Sequence, residues 1–246
     1  MTDFDKISVN IQEKLGMELS PVGVFLPEKL PEYAMHLNRK NQGCLATRIY
    51  TSAKGKVIAF DEHSTGRACA SFYLGYSEWI FPGIEKFLSH ETVNGREPER
   101  FLKNPEIAKE CIEYYVPKEK RNTAIIFKPL ELFSKDEKPE LVIFFANPDQ
   151  LSALVFLITY EAPLEERIDT RFASACMSMF TIPLKYAEEG KKKAVWGFHD
   201  ISARKTIPRD LMSLTMTFDL FREVYGNLGD SFVTTETWEK LRSRNL

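Results

Sequence analysis

The chain has 246 residues, 43% hydrophobic and 28% charged, with a net charge of −2 from 33 basic and 35 acidic side chains. That is the balance of a folded globular protein, and it leaves no positive surplus for nucleic acid or an anionic membrane. No apolar run approaches the roughly 20 residues of a membrane helix, and the acidic start from Met1 to Lys6 lacks a signal-peptide core, so a cytoplasmic location is expected.

In chain order, Ile7, Ile11 and Leu15 form a narrow helical stripe that Gly16 stops. Pro21 to Leu26 reads as a strand ended by Pro27. Gly43 to Tyr50 opens a helix, Lys54-Gly55-Lys56 turns, and Val57 to Phe60 is a second strand. Arg67 to Leu74 reads as a short helix before Gly75. Phe81 to Arg100 holds Pro82, Gly83, Gly95 and Pro98, and reads as loop with one helical turn near Glu85 to Leu88. Asn104-Pro105-Glu106 is a cap-proline-acid start for a helix to Tyr115. Thr123 to Lys128 follows as a strand.

Leu141 to Tyr160 is the most informative stretch. Leu141 to Ala146 is an unbroken apolar run, as in a strand covered on both faces. Asn147, Pro148 and Gln150 then spell a capping box with proline in the first turn. Backbone N–H groups gather at such strand-to-helix turns, which makes Asn147 a candidate for a ligand-site wall. Arg167 to Phe172 and Ala194 to Phe198 read as strands, and Cys176 to Phe180 as a helix start that Pro183 disturbs. Pro208 is expected to begin a long helix carrying Leu211, Leu214, Phe218, Phe221 and Tyr225 to Gly226. Thr235 to Arg244 is a short polar helix. The expected fold is α+β (or α/β): one domain over residues 1–246, with a mixed sheet flanked by helices and one continuous core including Val142, Phe144, Leu154, Phe218 and Phe221.

The chain has no GxGxxG, P-loop, HExxH, CxxC or GxSxG, each of which needs fixed spacing so that its groups meet at one atom. Four cysteines are too few for a disulfide scaffold in a chain of this length. Cys44 follows a glycine at a helix start, where a thiol becomes a better ligand or nucleophile. Cys69 follows Arg67 closely, and Cys176 lies among Ala173, Ser174, Ala175 and Ser178. Cys111 is mid-helix and reads as core. Reduced cysteine is also a small buried hydrophobe, and that is the plainer reading of each. Of the histidines, His63 sits in a loop, and His199 precedes Asp200, which can fix its tautomer or cap the next turn. Arg48, Arg67 and Arg204 are candidates for holding a carboxylate or phosphate.

Several segments, in their order, resemble the prokaryotic family catalogued as domain of unknown function 169. They are Pro21-Val22-Gly23-Val24, Cys44-Leu45-Ala46, Cys69 to Gly75, Phe127 to Leu130, Asn147 to Leu151, Ala175-Cys176 and Asp200 to Arg204. Similar members carry a Gly-Cys-x-Gly-Cys-Arg segment where this chain has Trp196 to Asp200. The small-residue segment after Cys69 is also altered, to Ala70-Ser71. The resemblance implies a site that here retains only Cys44, Cys69 and Cys176, which suits an iron–sulfur cluster with an incomplete set, another transition metal or cofactor, or a vestigial site.

Two readings follow. In the first, Cys44, Cys69 and Cys176 line a cofactor- or metal-binding pocket with redox chemistry, and Arg48, Arg67, Asn147, His199 and Arg204 complete its walls. In the second, the chain is a binding module for a small anion or metabolite, without catalysis, in which Arg48, Arg67 and Arg204 hold the anion and the thiols are packing. A third, a scaffold or homo-oligomer, rests only on the 12% aromatic content. No nucleic-acid or membrane partner is expected.

Overall fold

The computed structural model describes residues 3–35, 43–64, 68–115 and 120–244. Helix α1 (Asp3–Leu15) leads to β1 (Val22–Phe25), then the short α2 (Glu32–Met35) and α3 (Leu45–Ser52). β2 (Ile58–Phe60) is followed by α4 (Ala68–Tyr73), α5 (Ile84–Phe87) and α6 (Pro105–Tyr115). β3 (Ile125–Pro129), β4 (Leu141–Ala146) and α7 (Pro148–Thr159) come next, then the two-residue β5 (Ile168–Asp169). A π-helical turn, Met177–Thr181, runs into α8 (Ile182–Glu188). The chain ends with β6 (Ala194–Gly197), α9 (Ile201–Arg204), β7 (Met212–Thr217), α10 (Phe218–Gly226) and α11 (Glu236–Ser243).

The strands form one mixed sheet in the order β2-β3-β1-β4-β7-β6-β5, with only β5 and β6 parallel. This is the expected α+β class. Among the described residues, no helix is long and apolar enough to cross a membrane.

The apolar run of β4 is buried at every position. Leu141, Ile143 and Phe145 point to one layer, with α3, α4, α8 and α9. Val142, Phe144 and Ala146 point to the other, with α1, α7, α10 and α11. The expected single continuous core is therefore two large clusters divided by the sheet, with two smaller ones beside them. All five residues expected in it belong to the second, Phe218 at its margin.

The expected long helix from Pro208 is wrong in its first half. Met212–Thr217 is β7, which pairs with β4 on one side and β6 on the other. Leu214 and Met216 join the second cluster, while Ser213, Thr215 and Thr217 are buried on the opposite face. Helical spacing from Leu211 to Tyr225 masks this alternation, because buried hydroxyls look like a polar face.

At the other end of the sheet, Lys128 lies 2% exposed among the rings of Tyr33 and Phe133, its Nζ 4.8 and 4.6 Å from the ring centres. Its Nζ donates to Glu137 Oε1 and Oε2 at 2.8 and 2.7 Å. Burial pushes the Lys128 ammonium below its ordinary range, against the pull of Glu137. Burial raises Glu137, but bonds from Lys128, the Ser134 N–H and the Tyr33 hydroxyl outweigh it and hold the carboxyl below its ordinary range. Gly23 is required here: a Cβ would meet the Phe133 ring at 2.3 Å.

Two outcomes test these contacts. Asn147 Oδ1 accepts from Gln150 N at 3.0 Å, and Gln150 Oε1 accepts from Asn147 N at 3.0 Å. Asn147→Ala should therefore cost about 1 kcal/mol in urea unfolding. The lowered carboxyl of Glu137 contributes stability above its unfolded pKa, about 4.3, that is lost as pH falls through the folded value. Glu137→Gln should be less stable at pH 7 and show a shallower acid loss in the same assay.

Candidate functional site

The layer carrying α3, α4, α8 and α9 is incomplete. A cleft of about 760 Å³ opens beside it, bounded outside by α5, α6 and the chain around them. This is within the roughly 300–1,000 Å³ typical of small-molecule sites. The outer wall is the stretch expected to be loop. It is ordered by its own backbone bonds: Glu99 N to Phe87 O at 2.8 Å, and Phe101 N to Leu88 O at 2.9 Å.

All four cysteines line this cleft. Cys44 arrives as the N-cap of α3, Cys69 on α4, and Cys176 just before the π-helical turn. Cys111 on α6 is also in the lining, half-buried, and packs at the margin of a small core cluster of Ala173, Met177, Ile182 and Val195. Burial raises the Cys111 thiol, helped by Glu110. Cys176 is buried; desolvation pushes its thiol well up, and Cys44, Cys69 and Asp200 add to this. Cys111 is not among the groups acting on it. Tyr73, hydrogen-bonded with Ser174, is held protonated chiefly by burial.

Among the described residues, no three or more His, Cys, Asp or Glu side chains are arranged to hold a metal ion. The thiols share a cleft without forming a ligand cage among the described residues.

Asp200 organises the floor. Its Oδ1 accepts from Ser202 N at 3.0 Å and Ala203 N at 3.3 Å, capping α9, and Oδ2 accepts from Ala175 N at 3.3 Å. Of the two roles expected for Asp200, it takes the cap and leaves His199 alone. His199 is exposed in the lining, its Nε2 3.0 Å from Trp196 O. The buried Phe198 before it has φ +68°, a left-handed conformation costly for a bulky residue.

Other expected site residues lie elsewhere. Asn147 caps α7, whose apolar side packs in the opposite layer, and Gln150 Nε2 donates to Gly16 O at 2.6 Å; Asn147 does not line the cleft. Arg204 braces the following loop by donating to Leu211 O and Arg209 O, both at 2.6 Å, and is not in the lining. Arg48 is half-buried on α3 and not in the lining. Arg67 lies outside the described residues. The cations that do line the cleft are Arg96, Arg100, Arg171 and Lys205, facing the carboxylates Glu99 and Asp200. Glu99 is pushed up by burial and by Asp200, against Lys205. Nothing in the local sequence marks these four.

The family described as uncharacterised ArCR, domain of unknown function 169, matches residues 10–227. The chain belongs to this family. No curated protein and no solved structure matches it. The match to domain of unknown function 169 spans every strand of the sheet and every cleft residue named above. It leaves out α11, whose Trp238 Nε1 donates to Lys14 O at 2.8 Å and so closes the end of α1.

Asp200→Ala should cost about 1 kcal/mol in urea unfolding through the lost cap. It should also quicken alkylation of Cys176 in the folded protein, because the Ala175 N–H loses its anchor. Asp200→Asn, which keeps an acceptor, should lie between the two in both measurements.

Proposed function

We propose that the protein binds a small amphipathic anion, a metabolite with an apolar or aromatic body and an acidic head. The observation that carries this is the division of the cleft lining. Its interior presents aromatic and aliphatic side chains such as Phe72, Phe87, Phe101 and Ile112, while Arg96, Arg100 and Lys205 are exposed at its rim beside the carboxylates Glu99 and Asp200, and Arg171 there is ion-paired with Asp169. In a chain of net charge −2, this puts a local positive excess over an apolar hollow. Apolar burial would supply the affinity, and the rim would select and steer the head group.

The metal or cluster reading of Cys44, Cys69 and Cys176 has weaker support, since the thiols share the cleft without a ligand arrangement among the described residues. Near-stoichiometric iron or zinc in anaerobically purified protein would restore it.

The test compares two fluorescent probes of similar shape, anionic 8-anilinonaphthalene-1-sulfonate and neutral N-phenyl-1-naphthylamine. The folded protein should bind the anion at one saturable site, several-fold more tightly than the neutral probe. Raising salt from about 0.05 to about 0.5 M should weaken the anion selectively. Arg100→Ala and Lys205→Ala should each weaken it about two- to fivefold, the effect of an exposed charge. Equal affinity for both probes at all salt concentrations would overturn the reading.

A further inference from the structure

We infer that the outer wall of the cleft, residues 77–114, is a hinged lid that closes on the ligand bound beneath it. The inference rests on the anion-binding reading above and adds a moving part to the same site.

The wall is packed on itself. Phe87 N donates to Gly83 O at 3.0 Å, and Val93 and Arg96 exchange backbone bonds at 3.1 and 3.0 Å. Glu99, Phe101 and Leu102 donate back to the carbonyls of Phe87 and Leu88. The rings of Phe81 and Phe87 meet within it, centroids 5.9 Å apart. Among the described residues, no backbone hydrogen bond joins residues 77–114 to the sheet or its flanking helices. Among the same residues, the four core clusters take in no side chain of the wall, and only Cys111 packs at the margin of one. Even the buried Ile80 and Ala108 stand outside those clusters.

The wall is attached where its chain leaves and returns. Gly75 turns the chain out of α4 at φ +84°, a conformation that favours glycine. The buried Tyr76 follows, its hydroxyl donating to Thr123 O at 2.9 Å and lying 3.3 Å from Phe60 O. Arg121 N donates to Gly75 O at 2.8 Å. Outgoing and returning chain are thus pinned together beside β2 and β3. Near the end of α6, Tyr114 Oη accepts from Arg171 Nη1 at 3.4 Å, and Lys185 Nζ lies 4.3 Å from the Tyr114 ring. Tyr114 is exposed, and such contacts are weak in water.

The middle of the wall carries the groups that a ligand would engage. α5 has no buried residue, although its Ile84 and Phe87 are apolar and line the cleft. Arg100 lines the cleft at φ +55°, a costly left-handed backbone flanked by the bonds of Glu99 and Phe101. Phe72 on α4 and Lys205 after α9 line the cleft from the body of the protein. A ligand with an apolar body and an acidic head therefore meets both parts. Inward rotation about Gly75 buries Ile84 and Phe87 on the ligand and carries Arg100 toward its head group. Binding favours the closed position because these contacts are strongest there.

Hydrogen exchange on the full chain tests this, with and without saturating 8-anilinonaphthalene-1-sulfonate. Without probe, the hydrogen-bonded amides of the wall should exchange as a group, about tenfold or more faster than those of β4. With probe, residues 89–95 and 103–110 should slow by about threefold or more, while α1, α10 and α11 in the opposite layer stay unchanged. None of residues 89–95 and 103–110 lines the cleft, so direct contact with the probe does not account for their protection. Slowing confined to the lining residues, or spread evenly over the whole chain, would overturn the lid and leave the anion reading standing. Probe fluorescence reports binding separately. Its failure to saturate would overturn the anion reading, and the lid with it.

Discussion

Six consecutive apolar side chains in β4 leave the centre of the sheet without a face that water can cover. Each face must be roofed, and the two roofs differ. One is built from α1, α7, α10 and α11, of 13, 12, 9 and 8 residues. The other uses α3, α4, α8 and α9, of 8, 6, 7 and 4 residues. At about 1.5 Å per residue, helices this short span only part of a strand-lined surface. The gap beside them is where α5 and α6 stand off and the cleft forms. The cysteine-bearing segments all belong to this incomplete side or its outer wall.

The floor of the cleft is tied to the sheet through β7. Pro183 has no N–H to give to Met179 O, so an ordinary helix through this point would leave that carbonyl unpaired. The Thr215 hydroxyl supplies a donor, at 3.4 Å, from the hydroxyl-bearing face of β7. Close packing continues next door: a Cβ on Gly197 would lie 2.1 Å from Ser178 Oγ, so only glycine lets β6 approach the π-helical turn. Ser178 Oγ in turn accepts from Phe198 N at 3.2 Å. The buried hydroxyls of β7 and the turn thus serve one purpose. They let a helix interrupted by proline sit directly on a central strand, just past Cys176.

What the sequence made legible follows from how local each signal is. The α7 cap needs only Asn147, Pro148 and Gln150, and the structure forms it within those residues. β4 is a continuous run that no other element imitates. β7 was hidden because Ser213, Thr215 and Thr217 are buried polar groups, Thr215 and Thr217 bonded to other segments and Ser213 without a partner among the described residues, while Leu211, Leu214 and Phe218 keep a helical interval into α10. The wall from Phe81 to Phe101 has no period at all; its shape comes from backbone bonds to Phe87 and Leu88. Cys44, Cys69 and Cys176 share one cleft, and Cys111 joins them there from a helix whose stripe looked like core. The arginines failed for a related reason. Arg204 is spent on the carbonyls of its own loop, whereas Arg96 and Arg100 gain meaning only from the cleft they overlook.

The junction from β6 to α9 shows how these parts hold one another. Phe198 takes a left-handed backbone, and its ring is buried against Phe145, with centroids 6.3 Å apart. Burial of a whole phenyl ring, worth about 1.5–3 kcal/mol, is of the size needed to hold one strained residue. The turn this permits delivers Asp200 to two sets of donors at once, the first N–H groups of α9 and the N–H of Ala175. Ala175 immediately precedes Cys176, which lines the cleft together with Cys44 at the start of α3. One strained residue in the sheet layer is therefore connected, through a single carboxylate, to the position of the most buried thiol. Burial holds that thiol protonated, and Cys44, Cys69 and the Asp200 carboxylate add to the effect.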